Sequence, residues 1–123
     1  MTATMAMAQG LYFTLTAVWP LVHLRSFLLV TGPKTDLWLV RTVGALLAVI
    51  GITLLLLARV PEGHPSGVRT ATAALGAGSA AALLLIDIIY VTRRVIRPIY
   101  LADAVAEFLL IVGWCMALAV DHE

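Results

Sequence analysis

The chain has 123 residues, of which 62% are hydrophobic and 12% charged, with a net charge of +1 and a mean hydropathy of +1.02. Soluble domains average about 25% charged and about 45–50% apolar residues, so these few charges cannot cover a water-facing surface of this size. The near-zero net charge, with no basic stripe interleaved with aromatics, gives no case for a nucleic-acid partner, and the single cysteine, Cys115, excludes an internal disulfide.

A helix needs about 20 residues, at about 1.5 Å each, to cross ~30 Å of hydrocarbon. The first segment of that length runs from about Gly10 to Val30. No Lys or Arg precedes Arg25, so a secretory n-region is missing and the segment is expected to stay in the mature protein. Tyr12, Thr16, Trp19 and His23 recur along it at helical spacing. Pro20 removes a backbone donor and frees the carbonyl of Thr16, which predicts a kink and a pocket lined by Tyr12, Thr16 and Trp19. Arg25 is expected to snorkel to the surface.

Thr31-Gly32-Pro33-Lys34-Thr35-Asp36 reads as a tight polar turn, with Asp36 as N-cap of a second helix over about 37–60. Gly44, Ala48 and Gly51 form a small-residue stripe on that helix, and Arg41 shares it. Pro61-Glu62-Gly63-His64-Pro65-Ser66-Gly67 is a loop, and a third helix follows over about 70–92. Its stripe of Ala73, Gly76 and Ala80 reaches Asp87. Arg93, Arg94 and Arg97 close it with cations, and Pro98 opens a fourth helix over about 99–120. There Asp103 and Glu107, four residues apart, share one face beside Ala102, Ala106, Gly113 and Ala117.

These segments predict an all-α fold: a single integral membrane domain over residues 1–123, an up-down-up-down four-helix bundle, since connections this short make neighbours antiparallel. A β-barrel is excluded, because no alternating segments of about ten residues occur. Lys34, Arg93, Arg94 and Arg97 fall in the first and third turns, whereas Arg59 and Arg69 alone flank the middle loop. The positive-inside bias then puts both basic turns in the cytoplasm and both termini, with His64 and His122, on the other side. Trp38, Tyr90 and Tyr100 lie at the basic boundary, as an interfacial aromatic belt would. The Arg side chains of the turns are expected to touch anionic lipid headgroups.

Counted from the basic turns, Arg41, Asp87 and Asp103 lie roughly 8–10 Å into the membrane, and His23 and Glu107 roughly 14 Å. Four helices thus present His23, Arg41, Asp87, Asp103 and Glu107 at similar depth, and a lone charge there costs on the order of 3 kcal/mol. Pairing Arg41 with Asp87 or Asp103 would offset much of that cost. The cluster is open to three interpretations: a structural ion-pair network that fixes helix register, a site for a ligand or proton, or, for Arg41 especially, snorkelling to the interface. Glu107, deepest and acidic, suits a proton carrier or general acid, or equally a neutral hydrogen-bonded core group. His23 suits a general base or a hydrogen-bonded core imidazole; with no second His or Cys at ligand spacing, no metal site is expected. No phosphate-binding glycine motif or nucleophile elbow occurs, and no residue pattern names a cofactor.

The stretch Thr31 to Gly44, TGPKTDLWLVRTVG, with Val49-Ile50-Gly51, Asp87-Ile88-Ile89-Tyr90 and Pro98-Ile99-Tyr100-Leu101-Ala102-Asp103, resembles small bacterial four-helix membrane proteins without assigned activity. The resemblance spans most of the chain. It implies residence in a bacterial inner membrane and carries no substrate, cofactor or catalytic residue.

Three functions fit such a chain. The first is a non-catalytic helical module, an accessory subunit of a larger membrane complex or a self-associating one, because short turns leave little room for extramembrane machinery. The second is an enzyme or binding protein for a lipid-soluble small molecule, using the inward acids, Arg41 and His23. The third is proton or ion translocation, which in so narrow a bundle would need several copies.

Overall fold

The computed structural model describes residues 1–34, 36–60 and 66–121. His64 and His122 lie outside the described residues. Among those described there is no strand, and five helices form: α1 (Thr2–Val22), α2 (Leu24–Thr31), α3 (Leu37–Leu57), α4 (Ser66–Thr92) and α5 (Tyr100–Asp121). Four of them, α1, α3, α4 and α5, are long and apolar enough to cross a membrane.

The first helix differs most from expectation. It starts at Thr2, well ahead of Gly10, because the Ala and Met residues before Gly10 support a helix even where hydropathy is modest. It also ends early. Pro20 leaves only two more helical residues before His23, whose backbone (φ −139°, ψ 75°) leaves the α region. The His23 ring then accepts from the backbone N–H of Ser26 and so caps α2. The single expected span over 10–30 is therefore a long helix and a short one joined at His23.

The other ends follow local chemistry. Gly32, at φ +104°, stops α2 in a conformation that suits glycine. Asp36 holds the N-cap position of α3, yet its side chain makes no capping hydrogen bond; its carbonyl instead accepts from Leu39 and Val40. Beyond Thr92, Arg94 turns to φ +60°, and the carbonyl of Tyr90 accepts from Val95 and Ile96.

Helix α1 packs chiefly on α3, and α4 chiefly on α5. The α1–α3 seam is backbone on backbone. A Cβ at Gly51 would lie 2.8 Å from the amide nitrogen of Thr14, one at Gly10 would lie 2.9 Å from the carbonyl of Gly51, and one at Gly44 would lie 3.2 Å from the carbonyl of Ala17. Between α4 and α5 the Trp114 ring fills the space above Gly76. Ala6, Leu54, Ala73 and Trp114 form the core cluster.

Size is segregated in the sense opposite to a soluble domain. Buried positions are mostly small, among them Ala6, Ala17, Ala73, Ala80, Ala104 and Ala117, or polar: Gln9, Thr72, Asp87 and Glu107. Leu15, Val22, Leu29, Leu46, Val49 and Leu109 are exposed. Large apolar side chains outside and small ones between helices is the distribution that hydrocarbon surroundings favour.

Candidate functional site

The polar residues of the bundle fall into two groups at different levels. One is a structural clamp. Gln9 of α1, fully buried, donates through Nε2 to the carbonyl of Gly76 (2.8 Å) and the hydroxyl of Ser79 (3.2 Å) on α4, and its Oε1 accepts from Nε1 of Trp114 on α5 (2.6 Å). Every hydrogen-bonding atom of the amide side chain group thus meets a partner, and three helices are tied at one point.

The other group is different, because its acceptors outnumber its donors. Tyr12 on α1 donates its hydroxyl to Oδ1 of Asp103 on α5. Asp103 is in turn the neighbour shared by Asp87 on α4 and Glu107 one turn along α5. Asp87 is 4% exposed and Glu107 fully buried. Among the described residues, neither carboxyl oxygen of Glu107, nor Oδ2 of Asp87, meets a hydrogen-bond partner. Native interiors leave few buried polar atoms unmet, and each such atom calls for an explanation: strain, a functional role, or a bound water or ion.

These side chains line a cavity of about 480 Å³. Tyr12, Thr16, Asp87, Asp103 and Glu107 give it one polar wall; Phe13, Phe27, Leu47, Leu83, Ile86 and Ile99 contribute to the apolar remainder. Trp19 and Pro20 lie at its edge, where the Trp19 indole donates to Ser26 (2.8 Å) and meets Phe27 edge-on at 5.4 Å. Thr16 turns its hydroxyl back to the carbonyl of Tyr12 (2.7 Å), so its free valence is spent within α1. Lys34 is the one basic residue that lines the cavity among the described residues, and its ammonium sits 5.3 Å from the ring centres of both Phe27 and Tyr100.

Of the five residues expected to share one site, Asp87, Asp103 and Glu107 come together, and His23 and Arg41 do not. His23 is exposed and occupied in capping α2; its Nδ1 lies 2.6 Å from Oγ of Ser26. Arg41 is exposed and forms no ion pair with Asp87 or Asp103. The cavity face of α3 runs through Val40, Val43, Gly44 and Leu47, and Arg41 stands about 100° round from Val40. Spacing along one helix had aligned Arg41 with Gly44, but the position of α1 selects the neighbouring face. Among the described residues no three His, Cys, Asp or Glu side chains converge as metal ligands would.

Lys34, Tyr100 and Gln9 were not singled out as site or core residues by their sequence pattern. Lys34 read as a topology signal and Tyr100 as an interfacial aromatic. Gln9, uncharged and one residue before an apolar run, carried no signal. The chain matches no family model, no curated protein and no solved structure, so geometry alone carries the functional argument.

Proposed function

We propose that the chain is a multi-pass protein of a bacterial inner membrane, an up-down-up-down bundle of α1, α3, α4 and α5, that holds a lipid-soluble small molecule in the cavity between them. The molecule presents a hydrogen-bond donor, a hydroxyl or a protonated amine, to Asp87 and Glu107. The observation that carries this is the buried Glu107 carboxyl with neither oxygen met, on the wall of a largely apolar cavity. Burying such a group without a partner costs several kcal/mol on the order of hydrocarbon transfer values, and a ligand donor would recover part of it.

Supporting the membrane assignment are four helices of sufficient length and hydropathy and the large apolar side chains on their outer faces. The alternation of direction agrees with the contact order: Gly10 meets Gly51 and Leu55, whereas Ala17 and Leu21 meet Gly44. Lys34, Arg93, Arg94 and Arg97 in the two basic turns favour cytoplasmic turns and external termini.

The test is extraction. Protein purified in mild detergent should release a stoichiometric lipid-soluble compound into organic solvent, and Glu107→Gln and Asp87→Asn should each lower its occupancy at least about fivefold, the loss of one hydrogen bond of about 1 kcal/mol. A compound retained equally by both variants sinks the proposal.

A second reading, a helical subunit that packs against a partner helix or another copy, is favoured by one specific feature. Ala71, Ala74, Gly78 and Ala82 recur every three or four residues on α4 and are all exposed, and a Cβ on Gly78 would meet nothing within 4 Å. Small residues on an outer face allow close helix approach in a bilayer. Gly78→Leu should then reduce association seen by cross-linking in membranes; a protein that runs as a monomer at every expression level counts against it.

A further inference from the structure

The turn after α2 and the turn after α4 meet, and a second cavity of about 460 Å³ opens between them. Thr31, Gly32 and Lys34 line it from one turn, Arg94 and Arg97 from the other. Among the described residues no acidic side chain lines it. The contact between the turns depends on Gly32: besides its positive φ, a Cβ there would lie 2.7 Å from Nε of Arg97, so the guanidinium stem rests against glycine backbone. Lys34 is held as well. Its ammonium donates to the hydroxyl of Thr31 (2.8 Å) and the carbonyl of Gly32 (3.3 Å) and lies against two aromatic rings. Three cations are therefore gathered with no carboxylate among the described residues that line the cavity, an arrangement that repels itself until an anion enters.

We propose that this basic cavity is a phosphate site whose ligand is a phosphate-headed amphiphile. Two guanidinium groups and an ammonium match the charge and the several acceptor oxygens of a phosphate better than they match a single carboxylate. The amphiphile follows from continuity. Thr31, Lys34 and Ile96 line both this cavity and the apolar one that leads to Tyr12 and the acids, so a headgroup between the turns can send its chain directly into the bundle. Basic pockets between spans at a cytoplasmic boundary are where headgroup phosphates bind. The proposal rests on the cavity-ligand reading above and deepens it: the phosphate sits between the turns, the donor to Asp87 and Glu107 is carried on the chain, and the headgroup half stands on different residues.

Delipidated protein in detergent is titrated with dioctanoyl phosphatidic acid, with dioctanoylglycerol, which has the same chains and no phosphate, and with inorganic phosphate. Phosphatidic acid should bind saturably and at least about tenfold tighter than either probe, as a charged hydrogen bond to phosphate implies. Lys34→Gln and Arg97→Gln should each weaken it by a similar factor, and Arg97→Lys should restore part. Arg93→Gln, on the same turn but outside the cavity lining, should leave it unchanged while helical content is monitored by circular dichroism. Equal binding of phosphatidic acid and dioctanoylglycerol, or indifference to both Lys34→Gln and Arg97→Gln, overturns the phosphate site. Inorganic phosphate binding as tightly as phosphatidic acid overturns the amphiphile. If the extracted compound persists in Glu107→Gln while phosphatidic acid still needs Arg97, the acid-site reading alone fails.

Discussion

The hydroxyl of Tyr12 donates to Oδ1 of Asp103, a link between α1 and α5 across 91 positions of the chain. The bond reaches a group of three neighbouring carboxyls, Asp87, Asp103 and Glu107. Tyr12→Phe keeps the ring and its packing beside Phe13 and deletes one hydrogen bond to a carboxyl group. The expected cost is about 1–2 kcal/mol of stability, the range for such bonds in membrane bundles. Unfolding in graded SDS measures it, and a variant as stable as the parent would show that the bond contributes nothing net.

The Gln9 clamp predicts strong coupling between Gln9 and Trp114. Gln9→Met preserves volume but strands the Trp114 N–H, which is fully buried. The variant should lose about 1–3 kcal/mol, the cost of a buried unmet donor. In Trp114→Phe the donor is gone, so adding Gln9→Met should cost much less than it does alone. A double-mutant cycle in the same unfolding assay reads a coupling of at least about 0.5 kcal/mol between neighbours in one network. Strict additivity would mean that the two residues act separately.

The glycine seam predicts opposite outcomes at Gly51 and Gly78. At Gly51 a Cβ would press on the backbone of α1, 2.8 Å from the Thr14 nitrogen and 3.0 Å from the Gly10 carbonyl. Backbone cannot step aside as a side chain can, so Gly51→Ala should force α1 and α3 apart and destabilise by about 1–3 kcal/mol. At Gly78 nothing lies within 4 Å, and Gly78→Ala should be neutral or stabilising by up to about 1 kcal/mol through helix propensity. Equal effects at the two positions would deny the close contact of α1 and α3.

Hydropathy and breaker residues made the four long helices and their turns legible, because both are local properties of the chain. The shared face of Asp103 and Glu107 was legible for the same reason: four residues is one turn. Most of what escaped depends on a second helix. Pro20 signals a disturbed ladder, but the break falls at His23 because that ring can cap Ser26, a local contact of a few atoms that hydropathy does not register. Arg41 lies on the small-residue stripe by spacing, yet the approach of α1 defines a face turned toward Val40. Gln9 and Trp114 are 105 positions apart, and nothing local to either residue announces the other.

Glu107 separates a site from a structural role by the sign of a stability change. Its carboxyl is fully buried and, among the described residues, neither oxygen meets a hydrogen-bond partner, so its burial in the ligand-free protein is poorly offset. Glu107→Met keeps the length and shape of the side chain and removes both unmet acceptors. The ligand-free variant should therefore be more stable than the parent, by about 1–3 kcal/mol, the penalty of a buried unsatisfied polar group. The same change should abolish retention of the cavity compound, since the donor on that compound has lost its acceptor. Stability given up for binding is the usual relation at sites where a polar group waits for its ligand. Thermal unfolding of delipidated protein, set beside solvent extraction of the undelipidated form, reads both effects. A Glu107→Met protein that unfolds at a lower temperature than the parent, with its extracted compound intact, would mean that the carboxyl holds the bundle together.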